Sequence, residues 1–191
     1  LEGASFSQAA FIARGDGFAD ALAVSPFAYS QKMPVLLTRP SSLPAETEAA
    51  LTGLDIEGAY IAGGTTAVSD GVMGSIDGIL STNGGTASER WSGTDRYATA
   101  ATIAQKGIDA FWATPAFVGL SPGQNFAEAL GGGAVCGSSG GVLLLTGGTS
   151  LSSAAETFLT GNSGDILHLE VFGGAAAVSD AVKTAAEGKV Y

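Results

Sequence analysis

Cysteine, histidine and basic side chains are all scarce in this 191-residue chain, and each shortage removes a kind of chemistry. Cys136 is the only cysteine, so neither an internal disulfide nor a cysteine-built metal site is available. It lies in an Ala/Gly/Val-rich run and reads as a small buried apolar residue. His168 is the only histidine and falls in a strand-like stretch, Ile166 to Phe172. A Ser-His pair needs a matching serine and a third orienting group, and none is evident, so His168 reads as structural. No metal site and no cofactor are expected. Eight Lys and Arg against eighteen Asp and Glu leave a formal charge of −10, the wrong sign for binding nucleic acid through its phosphates. No apolar run approaches the ~20 residues that cross a bilayer, so no membrane span is expected. Near Leu1 there is no basic segment followed by an apolar core, so no signal peptide is visible and the chain reads as a mature product or an excised piece.

Apolar residues make up 46% and charged residues 14%, enough apolar surface to bury sizeable cores. Charge is unevenly spread. From Gly107 to Val182 there is no Lys or Arg, whereas Arg14, Lys32, Arg39, Arg90, Arg96 and Lys106 all lie in the first 106 residues. Any anionic ligand should favour that half; the plainer reading of the acidic half is a solvated, solubilising surface.

An internal repeat organises the rest. Phe18-Ala19-Asp20-Ala21-Leu22 recurs 108 residues on as Phe126-Ala127-Glu128-Ala129-Leu130, and Val35-Leu36-Leu37-Thr38 recurs at the same spacing as Leu143-Leu144-Leu145-Thr146. Gly63-Gly64 with Ala67-Val68-Ser69-Asp70 recurs 110 residues on as Gly173-Gly174 with Ala177-Val178-Ser179-Asp180. Each copy reads as strand–helix–strand–helix–strand–helix. In the first, Ala9 to Arg14 is a strand closed by the turn Gly15-Asp16-Gly17, and Phe18 to Gln31 a helix broken or kinked at Pro26. Pro34 to Thr38 is a buried strand, and a helix starts at Ser42-Leu43-Pro44. Glu57 to Ala62 is the third strand and Thr66 to Ile79 the third helix. Apolar strands alternating with helices predict an α/β protein: two tandem Rossmann-like, three-layer repeats with mostly parallel sheets. The Gly/Ser/Thr run Ser81 to Ser88 marks a boundary between units 1–88 and 89–191. Beyond it, Thr94 or Asp95 caps a helix running to about Lys106.

The segment Arg90-x-x-Gly93-x-x-Arg96-Tyr97-x-Thr99-Ala100 resembles the opening of cell wall binding repeat 2, a family found in tandem on Gram-positive surface proteins. The Phe-Ala-Asp-Ala-Leu block, Pro34 to Thr38, and Gly-Gly-x-x-Ala-Val-Ser are similar to its later blocks, in the same order and over almost the whole chain. The resemblance implies an extracellular, cell-surface location and non-covalent anchoring to an anionic secondary wall polymer, with no catalysis. It also implies association with other repeats of the same or another copy, since family members commonly carry three around a pseudo-threefold arrangement. Here two copies are present, the opening motif of the first would fall before Leu1, and Glu128 replaces the Asp of the family block. The first two departures suggest a piece of a longer protein, or assembly between chains.

The candidate polymer-binding residues are Arg90, Arg96, Tyr97, Arg14 and Arg39, with Asp20, Asp95, Leu36 and Leu37 in support. Arg96 stands in the first turn of a helix, where a cation opposes the dipole. Its compensation comes from Asp95 or Asp20, or from a phosphate-bearing ligand held by its planar fork. Arg90, at a strand end, pairs with an acid or meets polymer. Asp20 and Glu128 occupy matching positions early in helices, where carboxylates suit the dipole, and default to capping or pairing with Arg. Leu36 and Leu37 read as strand core whose ends lie where open α/β sheets present crevices. Trp91 and Tyr97 either stack on a sugar ring or pack at the repeat junction. Gly63-Gly64 and Gly173-Gly174 serve a tight turn in preference to an anion cradle. Gly15-x-Gly17 carries Asp20 where a dinucleotide fingerprint needs a third small residue, which disfavours that rival. With a charge of −10, binding requires local guanidinium forks or a bridging divalent cation. An architectural surface-layer module remains the alternative.

Overall fold

Fourteen elements alternate strictly between strand and helix in the computed structural model, which describes residues 7–125 and 127–191. Phe126, the first residue of the second repeat's helical block, lies outside the described residues. The order is β1 (Ala9–Arg14), α1 (Ala19–Ser30), β2 (Val35–Thr38), α2 (Ala45–Gly53), β3 (Gly58–Ala62), α3 (Asp70–Thr82) and β4 (Glu89–Trp91). It continues with α4 (Arg96–Asp109), β5 (Phe117–Pro122), α5 (Ala127–Ser138), β6 (Val142–Thr146), α6 (Ser153–Gly161), β7 (His168–Val171) and α7 (Asp180–Glu187). Two wholly parallel sheets result, one ordered β2-β1-β3-β4 and the other β6-β5-β7. The expected pair of layered α/β repeats is thus present. The segment that opens the second sequence unit, Glu89–Trp91, is in space the edge strand of the first sheet.

Period-two alternation explains the layering of the first sheet. Phe11, Ala13 and Ala62 face a core shared with Leu22, Ala23 and Phe27 of α1 and with Ala100, Ile103 and Ala104 of α4. Their neighbours Ala10, Ile12, Ala59 and Ile61 point the other way, onto Leu51 of α2 and Val72, Ile76 and Leu80 of α3. In the second sheet Val118, Leu120 and Val142 to Leu145 are all buried, because helices cover both faces.

Local chemistry sets the helix boundaries, in two places differently from the expectation. Pro26 neither breaks nor bounds α1. The carbonyl it orphans, that of Leu22, accepts a 2.6 Å bond from the Ser25 hydroxyl, so the main cost of an interior proline is offset by its neighbour. The third helix begins at Asp70 and not Thr66. Ala67 and Val68 spend their amides on the Gly64 carbonyl in a tight turn, and Ser69 then caps the Val72 amide at 3.3 Å. Gly174, Ala177, Val178, Ser179 and Val182 repeat the arrangement.

The two repeats join through matching helices. α1 and α5 pack side by side, and glycines allow the approach: a methyl at Gly137 would lie 2.7 Å from the Pro26 carbonyl oxygen and one at Gly133 would overlap the Ser25 side chain. α4 closes the other flank of α1, where a methyl at Gly107 would enter the Phe27 ring. Beside it, Phe11, Tyr60, Trp91 and Trp112 form one aromatic cluster, with ring centroids of Trp91 4.7 Å from Tyr60 and 5.6 Å from Trp112.

Candidate functional site

A parallel sheet ordered β2-β1-β3-β4 reverses direction of winding between β1 and β3, and ligand crevices form outside the carboxyl ends of strands at such a point. A cleft of about 490 Å³ opens there. Its walls are the β1 end (Arg14, Asp16, Gly17), the first turn of α1 (Asp20), the turn after β3 (Gly64, Thr66) and the start of α4 (Thr94, Asp95, Arg96). The sequence builds it from short turns. Gly15-Asp16-Gly17 ends β1, with Gly17 leaving the space that the Arg14 side chain fills: a methyl there would lie 3.0 Å from Arg14 Nε. Asp95 caps α4, its Oδ1 accepting from the Tyr97 and Ala98 amides at 2.9 and 2.8 Å, which presents Arg96 at the rim.

Two guanidinium groups and three carboxylates share the cleft. Arg14 Nε donates to Asp16 Oδ1 at 2.7 Å, a bond that holds the Asp16 carboxyl below its ordinary range and the Arg14 guanidinium above its own. Arg96 donates through Nη1 to the Gly123 carbonyl at 2.6 Å, tying the α4 start to the loop that follows β5. Burial pushes the Asp20 carboxyl up, while the charges of Arg14 and Arg96 pull it back. Asp20 is also why Gly63 is a glycine: its φ is +102°, and a methyl there would overlap the Asp20 carboxylate and sit 2.9 Å from the Ala67 side chain. The turn reading of Gly63-Gly64 therefore has its physical cause. Gly173, at φ +108°, meets Glu128 in the same way.

Of the residues singled out from sequence, Arg14, Asp20, Asp95 and Arg96 come together in this cleft. Leu37, half exposed, lines an apolar depression beside it with Leu22, Leu130 and Phe18, sharing Arg14 as the common wall. Tyr97 turns to a separate groove over Gln124 and the Gly147 to Ser152 loop, with Asp95 at its border. Arg39 is exposed on the loop after β2, outside the cleft walls. Leu36 packs against the α2–α3 side of the sheet. Arg90 is engaged at the carboxyl end of β3, outside the cleft walls: Nη1 donates to the Gly63 carbonyl at 3.0 Å and Nη2 to Asp70 Oδ1 at 3.1 Å. Trp91 is 2% exposed and buried in the aromatic cluster, so of its two readings packing holds and sugar stacking does not. Asp16 was not singled out, although a carboxylate two residues after Arg14 in a Gly-flanked turn is a legible sign of local pairing. His168 stacks on Phe117 at 5.0 Å and meets Glu170 at 3.1 Å, a surface packing role. Cys136 is fully buried, its thiol pushed up to about 12 by desolvation. Among the described residues no cluster of His, Cys, Asp and Glu has metal-binding geometry, and no helix is long and apolar enough to cross a membrane.

Fold and cleft together define a duplicated parallel α/β module with a mixed-charge crevice at the carboxyl edge of its first sheet. Residues 3–73 and 90–183 match Cell wall binding domain 2 (CWB2), and the chain belongs to this family of cell-wall-associated surface proteins. It is 31% identical over 178 residues to the N-acetylmuramoyl-L-alanine amidase LytC of Bacillus subtilis (strain 168), a match covering 93% of this chain and 34% of the amidase. Among solved structures it superposes on Cwp8 from Clostridium difficile with a TM-score of 0.77 at 28% identity, covering 96% of this chain and 29% of that one. Cwp6 from the same organism shares the fold, with a TM-score of 0.81 at 22% identity over 96% of this chain and 28% of its own length. The chain thus spans about a third of the relatives it matches.

Proposed function

We propose that this chain is a non-catalytic anchor that holds an anionic secondary wall polymer, with the sequence units 1–88 and 89–191 as its working parts. The supporting observation is the convergence of Arg14 and Arg96 on one cleft at the reversal point of a parallel sheet. Both guanidinium groups reach solvent there, and each holds a partner that a phosphate or carboxylate on the polymer can replace: Asp16 for Arg14, the Gly123 carbonyl for Arg96. The cleft carries three carboxylates against two cations, so a divalent cation bridging Asp16 or Asp95 to the polymer is the second way to balance charge. Leu37, in the depression beside the cleft, and Tyr97, in the neighbouring groove, offer apolar and aromatic surface to the sugar backbone, while Arg90 and Arg39 lie outside the cleft and Arg90 holds the turn after β3.

Retention on purified cell walls, with and without chelator, tests the anchor. The wild-type chain should sediment with walls, and loss on chelation would select the bridged mode. The double change Arg14→Gln and Arg96→Gln should weaken retention about 10- to 100-fold, as expected for losing charge-assisted bonds of roughly 1.5–3 kcal/mol. If the wild type is not retained in either condition, the anchoring role falls. If the double variant is retained like wild type, only the site falls.

A further inference from the structure

Two residues with separate tasks stop α3. Gly84 takes φ +87°, the left-handed turn that ends helices and suits glycine. Asn83, the C-cap, sends its side-chain amide across the α2–α3 layer. Its Nδ2 donates to the Ile56 carbonyl at 2.9 Å and to the Leu51 carbonyl at 3.2 Å. One side chain thus ties the end of α3 to the last turn of α2 and to the approach to β3. Two carbonyl acceptors require a donor that an ionised carboxylate does not have.

The same two residues form the dipeptide most prone to cyclise. Of the three asparagines, only Asn83 is followed by glycine; Asn125 precedes Phe126 and Asn162 precedes Ser163. With no side chain to shield it, the Gly84 nitrogen can attack Asn83 Cγ. The Cγ–Nδ2 bond then breaks, and ammonia leaves with the proton that the Gly84 nitrogen gives up. Water opens the cyclic imide at either carbonyl, leaving aspartate or isoaspartate at position 83. In the folded chain both reactants are held apart from this course. The Gly84 amide donates to the Ser81 carbonyl at 3.2 Å, and the Asn83 side chain is turned toward Leu51 and Ile56.

Neither product fits the seat that Asn83 leaves. Aspartate sets a carboxylate against the two carbonyls that the amide had served. Isoaspartate instead lengthens the main chain by a methylene, where the next residue has no slack. The Gly85 amide donates to the Leu80 carbonyl at 2.8 Å and the Thr86 amide to the Glu57 carbonyl at 3.0 Å. A methyl on Gly85 would already overlap the Glu57 carbonyl oxygen.

We propose that Asn83–Gly84 is a self-modification site guarded by the fold. It stays closed while the end of α3 is seated on α2, and it converts to aspartate or isoaspartate when that layer opens. Conversion consumes only water and cannot be undone by refolding, so each opening long enough for reaction leaves the first sheet's outer layer permanently weaker. The proposal is independent of polymer binding and survives its failure.

The whole chain, incubated at mildly alkaline pH with and without denaturing urea, tests this by peptide mapping and mass spectrometry. Ammonia loss at Asn83 should run at least about tenfold faster in urea, with Asn125 and Asn162 as internal controls. Pulse proteolysis of a partly converted sample near the urea midpoint should then spare intact chains over converted ones by about fivefold. Asn83→Asp, made directly, should lower Tm by about 4 °C or more. Equal conversion with and without urea would show that the fold guards nothing, and no conversion in urea would remove the site itself. Converted chains that resist proteolysis like intact ones overturn the weakening, and this readout stands even where Asn83→Asp does not fold.

Discussion

Asp20 shows how one side chain joins packing to electrostatics. Its carboxyl is pushed up by burial against Gly63, and the two arginines offset this only in part. A carboxyl whose folded pKa lies above its unfolded value binds protons more readily in the native state. Its ionisation therefore costs stability as pH rises through the window between the two values. Asp20→Asn should melt higher than wild type near neutral pH, and the difference should vanish below the ordinary carboxylate range, where Asp20 is protonated in both states. Thermal melts from about pH 3 to about pH 7 check this. A variant that melts lower at neutral pH would mean that attraction to Arg14 and Arg96 outweighs desolvation. At this scale the sequence marked Arg14, Asp20, Asp95 and Arg96 correctly as charged groups near strand ends and helix starts, because turns and caps are local. It left Arg90 open between an acid partner and polymer, since Asp70 is twenty residues away along the chain and reaches it only across a strand pair.

Between elements, the α1–α5 contact depends on side chains that are missing. Gly133 and Gly137 lie one helical turn apart on the face that meets Ser25, Pro26 and Tyr29. Gly137→Leu should cost at least about 1–3 kcal/mol through overpacking and backbone shift, read as a Tm lower by about 2–4 °C for each kcal/mol. An unchanged Tm would show that the two helices can separate without loss. Helix limits were legible wherever a serine or aspartate cap or a strand pattern was local. The exceptions are Pro26, rescued by Ser25, and the early start expected for α3, where Gly64 takes the first amides into a turn.

Over the whole molecule, one hydrophobic cluster runs from Phe11 and Trp91 in the first sheet through α1 and α4 to Leu120, Leu143 and Phe158 in the second repeat. Shared cores couple unfolding, so calorimetry should record a single transition with matching calorimetric and van't Hoff enthalpies, although the sequence contains two units. Two resolved transitions would show that the helix interface is weak. The surplus of acids makes the two arginines of the cleft, half-buried Arg14 and exposed Arg96, local exceptions in a repulsive field for anions.

The sequence by itself determined the duplication, the parallel α/β character of each copy, the caps and turns, and the family, because those follow from periodicity and from motifs a few residues long. Only the tertiary structure decided that the segment opening the second unit completes the first sheet, that Trp91 is core, and that Arg14 and Arg96 share one cleft. Those outcomes turn on contacts between residues tens of positions apart, and periodicity along one chain carries no record of which strand lies beside which.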